Sequence, residues 1–320
     1  RLSFYTTCCS ALKLPLVYHP HYSIPFPDGH RFPMAKFRLL YEHLIQLEIL
    51  TPDNCHEPSP LSLATLMKAH QPDYVQRFIR GQLSTEEVKA IGLPWSDWLV
   101  ERTLRAVSGT LLTTELALQY GLACHLAGGT HHAFPDRGVG FCIFNDLAVA
   151  ATHLIESGKA TKVMIIDCDV HQGDGTIAFF QDMETVLPVS FHCEENFPAD
   201  KQREGINIPV PKGTEDQAYL RILEENIPKL LDQHSPDFVL YDAGADVHKD
   251  DRLGYVNLSD QGILARDRYV IEQVLDRGLP IACVIGGGYD HNHQKVAQRH
   301  SLLHQAAHEI WQERDMGRVN

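Results

Sequence analysis

The chain has 320 residues, 44% hydrophobic and 22% charged, an ordinary globular composition and long enough to bury one sizeable α/β core. A formal net charge of −13 argues against a nucleic-acid backbone as partner, because phosphate binding needs a concentrated basic face. It leaves a basic protein tail or a cationic small molecule open, while no apolar run reaches the ~18 residues that a membrane span needs.

In chain order, residues 1–13, RLSFYTTCCSALK, read as an N-terminal extension outside the fold, and residues 14–320 as a single domain. The eight cysteines form no CxxC pair and no dense framework, so they are expected to be reduced thiols in a cytoplasmic protein. LPLVYHP reads as the first buried strand. After it comes GGTHHAFPDRGVGFCIFND, where His131 and His132 stand side by side behind two glycines. NDLAVAATHLIESG has apolar residues at helical spacing and a stop at Gly158. TKVMIID and TVLPVSFH are strands, DQAYLRILEENIPKLLDQH a helix and DFVLYDAGAD a strand. SDQGILARDRYVIEQVLDRG is a helix with Ser259 or Asp260 as N-cap and Gly278 as stop, and LPIACVIGGGY is the last strand. Strands alternating with helices predict a largely parallel sheet covered on both faces, with ligands beyond the carboxyl ends of its strands.

That rule gathers the polar clusters. DCDVHQGDGT follows the strand KVMII, and a period of two sends Asp167, Asp169 and His171 to one side and Cys168 and Val170 to the other. Three carboxylates cannot be buried there without something positive beside them. Asp242 and Asp246 follow FVL in the same way, and Gly286, Gly287 and Gly288 deliver Tyr289 at the end of IACVI. Each cluster alone has a plainer explanation: a capped polar turn, an exposed histidine loop, a helix cap, a flexible glycine turn. Four clusters at four strand ends point to one site.

These clusters, together with HRFPMAKFRLL, HQPDYV, VSFHCEENFP and AGADVHKDDRLG in this order, resemble the arginase/deacetylase superfamily. Within it the chain is similar to the zinc-dependent histone deacetylase family, with the look of its class IV and bacterial members, from about Tyr18 to Trp311. The resemblance implies a single-domain deacetylase-like catalytic domain whose central eight-stranded parallel sheet carries helices on both faces. It implies one divalent ion on Asp169, His171 and Asp246, zinc or, on such oxygen-rich ligands, Fe(II). A structural potassium ion is implied against Asp167, Asp169, the carbonyl of His171, Ser190 and Phe191.

The implied activity is removal of acetyl or longer acyl groups from the lysine ε-amine by metal-activated water. In it His132 is general base and then acid, Asp174 fixes its tautomer, and His131 pairs with Asp167 and acts electrostatically. Tyr289 donates to the developing oxyanion, and its glycine run lets the backbone approach closely at the cost of a mobile loop. Gly140, Phe141 and Phe197 match the walls of an acyl-lysine channel, and Leu253 its rim. The implied partners are an acyl-lysine protein or peptide, or an acylated small amine, with the oligomeric state left open.

The chain departs from the family in places. No rim carboxylate is evident near WSDW, KQREGINIPVP is diverged, and either Lys36 or Arg31 is expected to reach the cavity below the metal. An acetylpolyamine amidohydrolase would use the same metal and tyrosine with an acidic rim. An arginase-like enzyme needs DxHxD, whereas Asp169, His171 and Asp174 give DxHxxD. A non-catalytic acyl-lysine binder would have no use for His132, Asp174 and Tyr289 together.

Overall fold

The computed structural model describes residues 12–318. Its strands are β1 (Leu16–Val17), β2 (Cys55–His56), β3 (Leu122–His125), β4 (Val163–Asp167), β5 (Val186–Cys193), β6 (Ile206–Val210), β7 (Phe238–Asp242) and β8 (Ile281–Val284). The helices are α1 (Lys36–Gln46), α2 (Leu63–Ala69), α3 (Pro72–Ile79), α4 (Thr85–Ile91), α5 (Asp97–Tyr120), α6 (Asp146–Glu156), α7 (Asp174–Phe180), α8 (Asp216–His234), α9 (Asp260–Leu275) and α10 (His293–Glu313).

The strands form one eight-stranded sheet in the order β2-β1-β3-β8-β7-β4-β5-β6, parallel throughout. Burial on both faces explains the continuous apolar runs of the central strands. On β4, Met164 and Ile166 enter one core cluster, while Val163 and Ile165 enter the other. On β7, Val239 and Tyr241 divide from Phe238 and Leu240 in the same way. Helix α6 lays Leu147, Ala151 and Leu154 on the second cluster, and α9 lays Ile263, Val270 and Val274 on the first. From β4 the chain steps outward to β5 and β6, then returns to β7 and steps the other way to β8. The direction reverses between β4 and β7, so the crevice at their carboxyl ends is the ligand position of an open parallel sheet.

All five predicted strands are present, four of them shorter than their apolar runs and β5 of the same length. The strands the sequence did not reveal have physical reasons to be quiet. β2 is two residues long, β3 contains the buried His125, and β6 is a half-exposed edge carrying Asn207 and Pro209 inside the diverged stretch. The predicted helix punctuation holds: Gly262 N donates to Ser259 Oγ at 3.1 Å, and Gly158 and Gly278 both have φ of +68°. Of the proposed extension, residues 1–11 lie outside the described residues. Leu12 is tied to the end of the chain, its N–H donating to Gly317 O at 2.9 Å and its carbonyl accepting from Trp311 Nε1 at 2.9 Å. Six described cysteines are free thiols, and among the described residues no helix is long and apolar enough to cross a membrane.

Candidate metal centre and active-site pocket

β4 and β7 end in register, with Asp167 opposite Asp242. The alternation of β4 continues past its end: Cys168 and Val170 enter the core, leaving Asp169 and His171 to the crevice. Backbone amides aim the carboxylates. Gly287 N donates to Asp169 Oδ2 at 2.7 Å, His171 N to Asp169 Oδ1 at 3.0 Å, and Val170 N to Asp246 Oδ1 at 2.9 Å. His171 Nδ1 then faces Asp169 Oδ1 at 3.0 Å and Asp246 Oδ2 at 3.1 Å, and the three donor atoms lie within 4.8 Å of one another.

Burial and the neighbouring Asp169 push the Asp246 carboxyl up to about 6. Burial opposes protonation of His171, yet Asp169 and Asp246 raise it to about 10. Two buried carboxylates and one imidazole nitrogen converging with such a pull on positive charge fit a divalent cation. A Cβ on Gly287 would collide with Asp246 Oδ2, so glycine is required for the donors to stand this close.

The histidine loop is held by a residue that the sequence reading left unassigned. Asp146, at the start of α6, accepts from Thr130 N at 2.8 Å, from Thr130 Oγ1 at 2.6 Å and from Thr110 Oγ1 at 2.6 Å. So fixed, His131 Nδ1 donates to Asp167 Oδ2 at 2.6 Å and His132 Nδ1 to Asp174 Oδ1 at 2.6 Å. The two rings are 4.1 Å apart but differ electrically. Burial works against a charge on His131, but Asp167 and Asp169 outweigh it and hold the imidazole well above its ordinary range. Burial and the charge of His131 depress His132 to about 4. One histidine of the pair is therefore cationic and its neighbour neutral.

Tyr289 closes the site from β8. Asp251, also unassigned from sequence, accepts from Tyr289 N at 2.6 Å, Leu253 N at 2.8 Å and Gly254 N at 3.1 Å, joining the tyrosine to the rim loop. The signal was the pair DD before RLG, which reads equally as a surface turn. The expectation of a mobile glycine loop is corrected: Gly286, Gly287 and Gly288 are buried, and Cβ atoms there would meet Asp242, Asp246 and His300. They serve close packing of backbone against carboxylate.

An outer pocket of about 360 Å³ leads down to His132, His171 and Tyr289. Gly140, Phe141, Phe197 and Leu253 all line it. Phe141 takes a φ of +66°, a strained value for a bulky residue, and its ring lies 5.9 Å from that of Tyr289. Phe197 is 43% exposed, with its ring 5.0 Å from His132, so it is a wall and not core. Beneath the site a smaller cavity of about 40 Å³ is lined by Lys36 and Arg102. Of the two residues predicted to reach it, Lys36 does, donating to Gly286 O at 3.2 Å, while Arg31 lines the outer pocket. Burial lowers Lys36 to about 8 and Arg102 to about 10. Asp97 of WSDW lines neither pocket.

Ser190 and Phe191 lie on β5, buried, with Ser190 in register with Asp167. Ser190 Oγ bonds to His192 Nδ1 at 3.0 Å. Asp242 is the unexpected neighbour. Fully buried, it has no hydrogen-bond partner for either oxygen, and burial together with Asp167 holds its carboxyl well above the usual range. Arg266, buried on α9, donates to Cys168 O at 3.1 Å and Gly244 O at 2.7 Å, fastening the ends of β4 and β7 together.

A doubly covered parallel sheet with an acidic metal-type cluster and paired histidines at its switch point defines a class, the proteins of the arginase/deacetylase fold. The Histone deacetylase domain family matches residues 30–304, and the chain belongs to that family. It is 49% identical over 94% of its length to an uncharacterized protein of Picosynechococcus, all of which is covered. It is 29% identical to histone deacetylase 2 of Arabidopsis thaliana over 87% of this chain and 75% of that one. It is 28% identical to the acetoin utilization protein AcuC of Staphylococcus aureus over 86% of this chain and 76% of that one. A crystal structure of a histone deacetylase homologue complexed with SAHA superposes with a TM-score of 0.79 at 25% identity, covering 92% of this chain and 84% of that one.

Proposed function

We propose that this chain is a metal-dependent lysine deacylase, removing acetyl from the ε-amine of lysine in proteins or peptides. The observation that carries the reading is the convergence on one pocket of the Asp169, His171 and Asp246 donors, the His132–Asp174 pair and Tyr289. Asp169, His171 and Asp246 would hold one divalent ion, zinc or Fe(II), with coordination positions left open. Such an ion polarises an amide carbonyl and lowers the pKa of water. The potassium site of Asp167, Asp169, His171, Ser190 and Phe191 belongs to the same proposal, as does a cytoplasmic setting that suits free thiols.

The chain's own residues divide the remaining work. With Nδ1 committed to Asp174, His132 presents a neutral Nε2, able to take a proton from water and return it to the leaving amine. His131, kept cationic by Asp167, offsets negative charge without exchanging a proton. Tyr289, whose hydroxyl burial keeps protonated, donates to the oxyanion. Phe141 and Phe197 flank the lysine alkyl chain and keep water from it. Below, Lys36 and Arg102 suit the carboxylate product, and a cavity of about 40 Å³ with two cationic heads suits a methyl group better than a long hydrocarbon.

The acetylpolyamine alternative calls for acidic rim residues, and no aspartate or glutamate lines the outer pocket. The test is metal analysis with amide hydrolysis on the same sample. About one equivalent of zinc or iron is expected, with chelation abolishing turnover of an acetyl-lysine peptide and metal restoring it. Asp246→Ala should lose metal and activity together while staying folded. Two equivalents of metal, or faster turnover of acetylspermidine than of acetyl-lysine peptide, would sink the proposal.

A further inference from the structure

The mouth of the outer pocket gathers three cationic side chains on a chain of net negative charge. Arg31 comes from the β1–α1 connection, Lys89 from the last turn of α4 and Arg252 from the β7–α9 loop, and all three line the one opening. All three are exposed, and among the described residues none has a carboxylate within ion-pair distance. Elsewhere some surface arginines are paired, Arg77 with Asp73 and Glu87, Arg277 with Asp232, Arg314 with Asp276, while Arg80, Arg203 and Arg221 are not, so the mark of the rim is that three such cations share one opening. The chain has 41 acidic residues to 28 basic ones, so partners are plentiful. Three unpaired cations from separate elements, meeting where no aspartate or glutamate lines the wall, are a local reversal of the molecular charge.

The positions are partly held. The Arg31 guanidinium lies 6.0 Å from the ring centre of Phe141, the channel wall itself. Arg252 Nη1 donates to His291 Nδ1 at 3.3 Å, and its backbone N–H donates to Tyr289 O at 3.1 Å. Arg31 and Arg252 are thereby tied to the residues that line the channel.

Resting on the deacylase reading, we propose that the rim selects substrates with carboxylates beside the acylated amine. Once an acyl-lysine side chain fills the channel, its α-carbon and flanking residues lie at the mouth. Carboxylates there meet guanidinium groups in charge-assisted contact, whose fork geometry suits bidentate pairing. Aspartate or glutamate flanking the acyl-lysine in a peptide, or the free α-carboxylate of an Nε-acyl-lysine, supplies the same chemistry. Basic flanks, such as lysine-rich tails, meet three like charges. The net charge of the whole molecule would favour the opposite selection at long range, so the preference must arise at the mouth and be sensitive to salt.

The experiment compares end-blocked acetyl-lysine peptides flanked on both sides by Asp, Ala or Lys, alongside Nε-acetyl-lysine with its α-carboxylate free or amidated. All are turned over by the metal-loaded full chain at low and high salt. The Asp-flanked peptide should exceed the Lys-flanked one in kcat/KM by about tenfold at low salt, mainly through KM, with the ratio shrinking at high salt. In Arg31→Glu/Lys89→Glu the Asp-to-Lys ratio should invert, a readout internal to each preparation. A free α-carboxylate preferred over the amide and over every peptide identifies a small-molecule source of the same chemistry. Asp- and Lys-flanked peptides within twofold of each other, or a ratio unmoved by the double variant, overturn the inference. If the Ala-flanked peptide is turned over in that case, the deacylase reading survives it. If no acetyl-lysine substrate is turned over at all, both fall.

Discussion

His131 and His132 are adjacent in sequence and alike in chemistry, yet their partners separate them. His131 is paired with Asp167, and its Nε2 lies 3.8 Å from Asp169 Oδ1 of the metal cluster, so charge is held there. His132 has only Asp174 behind it and the cationic neighbour beside it, so it stays neutral and available. His132→Ala is therefore expected to lower kcat by about 10²–10⁴-fold with metal content retained. His131→Ala should lower it less. A reversed ranking in steady-state kinetics, with metal measured on both variants, would exchange their roles. Tyr289 acts only once negative charge develops on the carbonyl oxygen. Tyr289→Phe should lower kcat by about 10²–10³-fold with little change in KM, and a hydroxamate should still bind, because such a ligand grips the metal. Full kcat in that variant on every amide tested would require another oxyanion donor.

Elements bring these side chains together, and the glycine run after β8 is the clearest case. Gly287 N holds Asp169 Oδ2 at 2.7 Å, and the space of its missing Cβ is filled by Asp246. Gly287→Ala should therefore weaken metal binding by at least about tenfold, read by competition with a chelator, while the core of the sheet stays folded. Wild-type affinity would show that the loop can yield. The same loop marks where sequence reading reaches its limit. Strand-end placement of Asp169, His171 and Asp246 was readable because parallel central strands are continuous apolar runs with abrupt polar ends. The packing of three glycines was not, since Gly-Gly-Gly is written the same way whether it is mobile or wedged against carboxylates. Asp146 and Asp251 escaped for a related reason. Each acts through backbone N–H groups brought to it by the fold, and a carboxylate before a helix or in a DD turn looks like a cap. The edge strand β6 and the two-residue β2 were hidden because neither buries enough side chain to impose a pattern.

At the scale of the molecule, buried histidines make the stability of the fold depend on acid. His70, His125 and His304 are buried and hold neutral imidazoles inside the fold. His70 links two segments around the site, its Nε2 accepting from Asn145 N at 2.9 Å and its Nδ1 bonding to Pro135 O at 3.3 Å. Burial lowers His70 to about 4, and burial with nearby positive charge lowers His125 to about 3. Burial brings His304 to about 4. A histidine depressed in the folded state is protonated first in the unfolded chain. Its stabilisation is thus complete above the ordinary value of 6.5 and is lost as pH falls from there through the folded value. For His70 alone the loss amounts to about 3 kcal/mol once the pH is below both values. His131 does not compensate. Its raised value makes its contribution fully present below 6.5, hence constant across this window. Buried carboxyls such as Asp242 and Asp246 pull the other way over this range, because they take up protons in the fold before the unfolded chain does, so the test is a difference: urea unfolding of the native chain and of a His70 variant should diverge below pH 6.5 by up to about 1.4 kcal/mol per pH unit. His70→Gln keeps an acceptor for Asn145 and removes one titrating group, so its profile should be shallower than that of the native chain. Equal slopes in the two proteins would show that the His70 imidazole takes up its proton without leaving the fold.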